Sequence, residues 1–119
     1  MRSIKLMVSG LLLALSTFSF AAAAKITPQM LQQNSHAILI DVRAADEFNA
    51  GHLQSAVHIP YDQIGEQISR LTNDKQQTIY VYCRSGRRSA IAKAELEKLG
   101  YQHVENLGGY EQLKAEGFQ

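Results

Sequence analysis

The stretch Thr78-Ile79-Tyr80-Val81-Tyr82-Cys83-Arg84-Ser85-Gly86-Arg87-Arg88-Ser89 decides the fold. Its first five residues are all β-branched or aromatic, the composition of a strand. The strand runs straight into a lone cysteine, and a helix is predicted from about Ser89 to Leu99, with Gly100 just past its end. Ala92, Leu96 and Leu99 share one face of that helix, and Lys93 and Glu97 pair at i,i+4 on another. A strand that feeds a helix through a short loop is the building block of a parallel sheet, and α/β proteins hold their ligands at the carboxyl ends of such strands.

Outward from this unit the alternation continues. Upstream, Thr27-Pro28 reads as an N-cap followed by proline at the first helical position, opening a short helix through Leu31 toward Asn34. The run Ala37-Ile38-Leu39-Ile40, ending in Asp41-Val42-Arg43, is apolar on both faces, as strands inside parallel sheets are. Residues 44–50 suit a short helix stopped by Gly51. Ala56-Val57-His58-Ile59 is a second strand closed by Pro60, and Asp62 is placed to cap a helix whose Ile64, Ile68 and Leu71 fall at i, i+4 and i+7. Residues 72–77 form a polar loop. Downstream, His103 to Leu107 offers a last strand, Gly108-Gly109 a turn, and Tyr110 to Glu116 a final short helix. Strands alternating with helices predict one α/β domain with a mainly parallel central sheet flanked by helices on both faces.

Composition agrees with a single globular domain. The chain has 119 residues, 45% hydrophobic and 19% charged, and only eight Gly and two Pro, which excludes disordered, collagenous and coiled-coil classes. Residues 1–24 are set apart: Arg2 and Lys5 precede an uncharged stretch from Leu6 to Phe20 that ends in four alanines, the pattern of a cleavable secretory signal. An uncleaved membrane anchor is the alternative, since the segment approaches the roughly 20 apolar residues a spanning helix needs. With that signal set aside, 10 Lys and Arg face 11 Asp and Glu. A neutral domain has no general field to draw nucleic acid, and with the signal removed nothing holds it to a membrane.

Cys83 is the only cysteine, so no disulfide can form within the chain, which is unusual for an exported protein. In an arbitrary domain a lone cysteine is most often a small buried hydrophobe. Here the flanking residues argue otherwise. If the loop curls around the sulfur, backbone N–H groups from Arg84 onward converge on it as an anion nest, and the positive end of the following helix adds to the same field. Gly86 allows the tight curl. A thiolate favoured in this way is nucleophilic without a separate general base, and no histidine has a spacing that assigns it to Cys83. Arg84, Arg87 and Arg88 form a locally basic mouth suited to an anionic substrate. Outside the cytoplasm such a thiolate is expected to be open to oxidants, giving sulfenic acid or a mixed disulfide. His52 and His58 are read as structural, each orienting a loop or a strand end. The four histidines and one cysteine show no metal-ligand spacing, and no phosphate-cradling glycine motif is present, so neither metal nor cofactor is expected.

Taken together, Leu39-Ile40-Asp41-Val42-Arg43, Glu47-Phe48, Gly51-His52-Leu53, Ala56, Ile59-Pro60, the Cys83–Ser89 loop and Leu107-Gly108-Gly109 resemble the rhodanese family over nearly all of residues 25–119. The signal-like start and single small domain resemble its periplasmic single-domain members. The resemblance implies a monomeric thiosulfate sulfurtransferase: Cys83 attacks the outer sulfur of thiosulfate, sulfite leaves, and the persulfide sulfur passes to cyanide or a thiol acceptor. It implies Cys83 as the catalytic residue and Arg84, Ser85, Gly86, Arg87 and Arg88 as the substrate-binding loop. Arg84 and Arg87 would hold the sulfonate end, and Arg88 either does the same or ties the loop to an acidic residue. Asp41, Arg43 and Glu47 are expected in ion pairs that hold the sheet edge near the loop. One departure is Leu113, where the family often has tryptophan, which puts an aromatic wall in doubt. Two other classes compete: a persulfide carrier with little turnover, and a phosphatase or arsenate reductase of the Cys-loop type. The latter resembles this loop but generally places five residues between Cys and Arg, and here four separate Cys83 from Arg88.

Overall fold

The computed structural model describes residues 25–119. The predicted signal lies outside the described residues. Four strands, β1 (Ile38–Asp41), β2 (Val57–His58), β3 (Thr78–Cys83) and β4 (His103–Gly109), form one sheet in the order β2-β1-β3-β4, and every pairing is parallel. The helices are α1 (Pro28–Gln33), α2 (Ala45–Ala50), α3 (Ile64–Gln67), α4 (Arg87–Lys98) and α5 (Tyr110–Ala115). Thr27 caps α1 by accepting the Met30 N–H at 3.1 Å, with Pro28 at the first turn, as its sequence predicts.

Side chains of a strand alternate between faces, and β3 shows what that does here. Ile79, Val81 and Cys83 join Ile40, Val42, Ile64, Ile68, Ala92 and Leu96 in one core, under α3 and α4. Tyr80 and Tyr82 point the other way, into a second core with Leu39, Leu53, Leu113 and Phe118, against which Leu31 of α1 packs. The predicted arrangement, helices on both faces of a parallel sheet, is what the structure has. Buried on both sides, β1 and β3 have little polar surface to spare, which explains their unbroken apolar runs. The register aligns the carboxyl ends: Asp41 lies opposite Tyr82, and Cys83 opposite Gly109.

Several local expectations are corrected. Helix α4 starts at Arg87, two residues before Ser89, because Gly86 adopts a left-handed conformation (φ 97°) that swings the chain directly into the helix. Gly108-Gly109 is no turn; β4 continues through it with a bulge, Val81 pairing with Asn106 and Tyr82 with Gly108, so that Leu107 is the extra residue. Asp62 does not cap α3, whose N-cap is Gln63 with no side-chain bond. The helix tightens to a 3-10 turn over Ile68–Arg70, and that change of pitch carries Leu71 off the buried face to 38% exposure. Leu99 lies past the last turn of α4 and is 41% exposed. Lys93 and Glu97 are not among the ion pairs of the described residues, where Glu95 and Lys98 meet instead at 3.8 Å.

Candidate active site

Cys83 ends the central strand, and the chain turns above it in three residues before α4 begins. The Gly86 N–H donates to Cys83 Sγ at 2.9 Å, and the Ser89 hydroxyl lies 3.3 Å from the same sulfur. Burial alone pushes the thiol's pKa up, yet the hydrogen bonds from the Ser89 hydroxyl and from the backbone N–H groups of Ser89, Ser85 and Gly86 outweigh it, and the net shift is downward. Of the donors predicted from the sequence to converge on the sulfur, the Gly86 N–H makes the direct bond, and the Ser89 hydroxyl joins it. Close packing of backbone against backbone makes it possible: a side chain at Gly109 would put its Cβ 2.5 Å from the Arg84 carbonyl oxygen. Only glycine lets β4 pass beneath the loop.

The three arginines separate into two kinds. Arg88 makes a two-pronged pair with Glu47 of α2, Nη1 to Oε1 at 2.7 Å and Nη2 to Oε2 at 3.0 Å. Glu47 also accepts the Ala44 N–H at 3.1 Å. The Arg88 hydrogen bond, against the opposing effect of burial, lowers the Glu47 carboxyl to about 2. Of the alternatives left open for Arg88, the structure has the anchor to an acidic residue. Arg84 and Arg87 are exposed and make no ion pair among the described residues. Arg84 lines a cavity of about 440 Å³ beside the loop, together with Arg43, Glu47, Gly51, Tyr110, Glu111 and Lys114, of which Lys114 is paired with Glu111.

Beneath this mouth Asp41 and Arg43 form a buried pair, Nη2 to Oδ2 at 2.7 Å, with both Asp41 oxygens 3.0 Å from the Arg43 Nε. Arg43 also donates to the Gly51 carbonyl at 2.7 Å and sits 4.3 Å over the Tyr110 ring. The expected role of Asp41, Arg43 and Glu47 in holding the sheet edge is what their contacts show. The histidines take structural places: His58 Nε2–H donates to the Arg43 carbonyl at 2.7 Å, His52 Nδ1–H to that of Phe48 at 2.9 Å, and both rings stack on Phe48. Leu113 is buried in the second core, away from any site wall.

Two findings were not read from the sequence. Cys83 has no exposed surface, which corrects the expectation of a thiol open to oxidants. The residue lies wholly beneath the loop and the start of α4. The other is Asn106 on β4, whose Oδ1 accepts from the Ser89 hydroxyl at 2.7 Å and from the Gly108 N–H at 2.9 Å, and whose Nδ2–H donates to the Gly86 carbonyl at 3.0 Å. An asparagine between Glu105 and Leu107 carries no sequence signal of such a role. Among the described residues no group of His, Cys, Asp or Glu is placed to hold a metal, and no helix is long and apolar enough to cross a membrane.

The model of the rhodanese-like domain matches residues 24–116, and the chain belongs to that family. It is similar to the thiosulfate sulfurtransferase PspE of Escherichia coli strain K12, 42% identical over 74 residues, which are 62% of this chain and 71% of that protein. It is 41% identical over 92 residues to thiosulfate sulfurtransferase 18 of Arabidopsis thaliana, spanning 66% of each. Among solved structures, one described as a rhodanese with anions from E. coli superposes with a TM-score of 0.61 at 41% identity, covering 63% of this chain and 88% of that one. A rhodanese-like domain from Anabaena gives 0.64 at 30% identity, covering 69% and 94%.

Proposed function

We propose that this protein is a thiosulfate sulfurtransferase that works through a persulfide on Cys83. The observation that carries the reading is the cradle itself: a single buried sulfur that accepts from Gly86 N–H and faces the Ser89 hydroxyl, in a chain whose relatives bear that activity in their names. The thiolate attacks the outer sulfur of thiosulfate, a new S–S bond forms, the old one breaks, and sulfite leaves with the bonding pair. Cyanide or a thiolate acceptor then attacks the outer persulfide sulfur and releases Cys83 as thiolate. Charge on the cysteine sulfur falls and returns in each cycle, and fixed N–H donors stabilise it without reorganising. Arg84 and Arg87 meet the donor's sulfonate end as exposed cations, Ser85 and Gly86 supply N–H groups, and Arg88 keeps the loop fastened to α2. A solved relative that holds anions supports a site for an anionic donor.

A Cys-loop phosphatase is disfavoured by Arg88: its guanidinium is taken by Glu47, whereas phosphate chemistry needs it turned toward the loop. The domain is read as residues 25–119, acting as a monomer, exported to the periplasm by a signal over residues 1–24. Steady-state kinetics test the reading. Thiosulfate and cyanide should give thiocyanate with parallel double-reciprocal lines, the mark of ping-pong turnover, and Cys83→Ser should give none. Sulfur uptake without release to cyanide would overturn the enzyme in favour of a carrier, and phosphate release from an aryl phosphate would favour the phosphatase.

A further inference from the structure

Ser89 carries one hydroxyl proton and has two acceptors in reach, Asn106 Oδ1 at 2.7 Å and Cys83 Sγ at 3.3 Å. The orientation of the Asn106 amide is settled by its other partners. The Gly86 carbonyl can only accept and the Gly108 N–H can only donate, so a flipped amide would lose both bonds. Oδ1 must therefore face Ser89. The bulge after Asn106 is what brings the Gly108 N–H round to the same oxygen.

We infer that Asn106 is a positioning residue of the sulfur site: it fastens the loop tip through Gly86 and takes the Ser89 proton while Cys83 is a neutral thiol, releasing it to the sulfur when the thiolate forms. In the thiol state S–H donates to the Ser89 oxygen and Ser89 donates to Asn106. In the thiolate state the Ser89 proton turns to sulfur, and Oδ1 keeps the Gly108 N–H. No buried polar group is left unpaired in either state, which avoids the large cost of an orphaned donor or acceptor. This inference rests on the proposed sulfur chemistry, in which Cys83 must enter the cycle as thiolate from its resting thiol. The charged groups near the sulfur do not substitute for such a device. Arg88 on α4 is bound to Glu47 on α2, Arg43 after β1 is bound to Asp41, and Arg84 and Arg87 are exposed.

The test is the titration midpoint of Cys83 in the reduced protein, with no sulfur donor present, read from the pH dependence of alkylation by iodoacetamide. Asn106→Ala and Ser89→Ala, made singly and together, should give shifts that do not add, because part of the Asn106 effect passes through the Ser89 proton and only the part through Gly86 survives in Ser89→Ala. Ser89→Thr, which keeps the hydroxyl, should restore the wild-type response to Asn106→Ala. If Asn106→Ala fails to fold, Asn106→Asp, of equal size, takes its place. Its carboxylate holds the Ser89 proton away from sulfur, adds a negative charge nearby and gives up the bond to the Gly86 carbonyl, so the midpoint should rise by about one unit, a tenfold loss of thiolate below the midpoint. That rise should shrink clearly when residue 89 is alanine. Additive shifts, or an equal rise with and without the hydroxyl, would overturn the inference. Because no donor is used, that outcome is separate from a failure of sulfur transfer.

Discussion

Two turns at the same edge of the sheet lead from a parallel strand into a helix, and they treat negative charge in opposite ways. After β1 the turn supplies its own anion: Asp41 accepts the Arg43 N–H at 2.9 Å and grips the Arg43 guanidinium, so the corner is closed upon itself. After β3 the turn has donors but no carboxylate, and the acceptor for its Gly86 N–H is Cys83 Sγ. The first corner is satisfied and structural. In the second the Gly86 N–H is satisfied through the sulfur, so whatever changes the charge on that sulfur is felt at the tip of the loop. The two corners are joined by Glu47, which sits on the helix after the first and holds Arg88 of the helix after the second.

The contrast can be broken most severely at the first corner. Asp41→Asn leaves Arg43 buried without its charge partner, and such a loss costs about 3–5 kcal/mol. Urea unfolding should show a drop of that size, and a loss under about 1 kcal/mol would mean that the corner does not depend on the pair. Breaking the joint should cost less. Glu47→Gln removes a half-buried two-pronged bond and should lower stability by on the order of 2 kcal/mol.

The same joint predicts an acid response with a definite sign. Folding holds the Glu47 carboxyl at about 2, below its ordinary value of 4.5, so its contribution is complete above 4.5 and is lost as pH falls toward about 2. Urea midpoints measured across that window should converge for wild type and Glu47→Gln at the acid end. Parallel curves would show that Arg88 does not set the Glu47 titration.

The smallest effect belongs to the outer face of the second corner. Arg84→Ala removes an exposed, unpaired cation, so stability should move by less than about 0.5 kcal/mol. The KM for thiosulfate should instead rise several-fold, more than kcat falls. A change in stability with no change in KM would move Arg84 from the donor site to the scaffold.

Much of this was legible in the residues. The β-branched run into Cys83, the glycine three residues on and the alternation of strands and helices lead to the parallel sheet and its reactive corner. What escaped did so for physical reasons. The helix is expected from about Ser89, but Gly86 starts it earlier through its left-handed backbone, which leaves the Ser89 hydroxyl facing the sulfur. Gly108, with φ 98°, suits a turn and a bulge equally, and pairing with β3 decides for the bulge. Asn106 lies 17 residues from Ser89, a separation at which a polar strand residue is indistinguishable from a solvent-facing one until β4 is docked. The burial of Cys83 likewise follows from packing of α4 on the sheet, which no local pattern states.

The most direct test of the account is intact mass spectrometry of the reduced protein after brief exposure to thiosulfate, with Cys83→Ser alongside and cyanide added afterwards. The account predicts a gain of one sulfur atom on the wild type alone, lost again to cyanide as thiocyanate. No gain, or an equal gain on Cys83→Ser, would contradict the claim that the second corner exists to hold charge on a sulfur that Cys83 passes on.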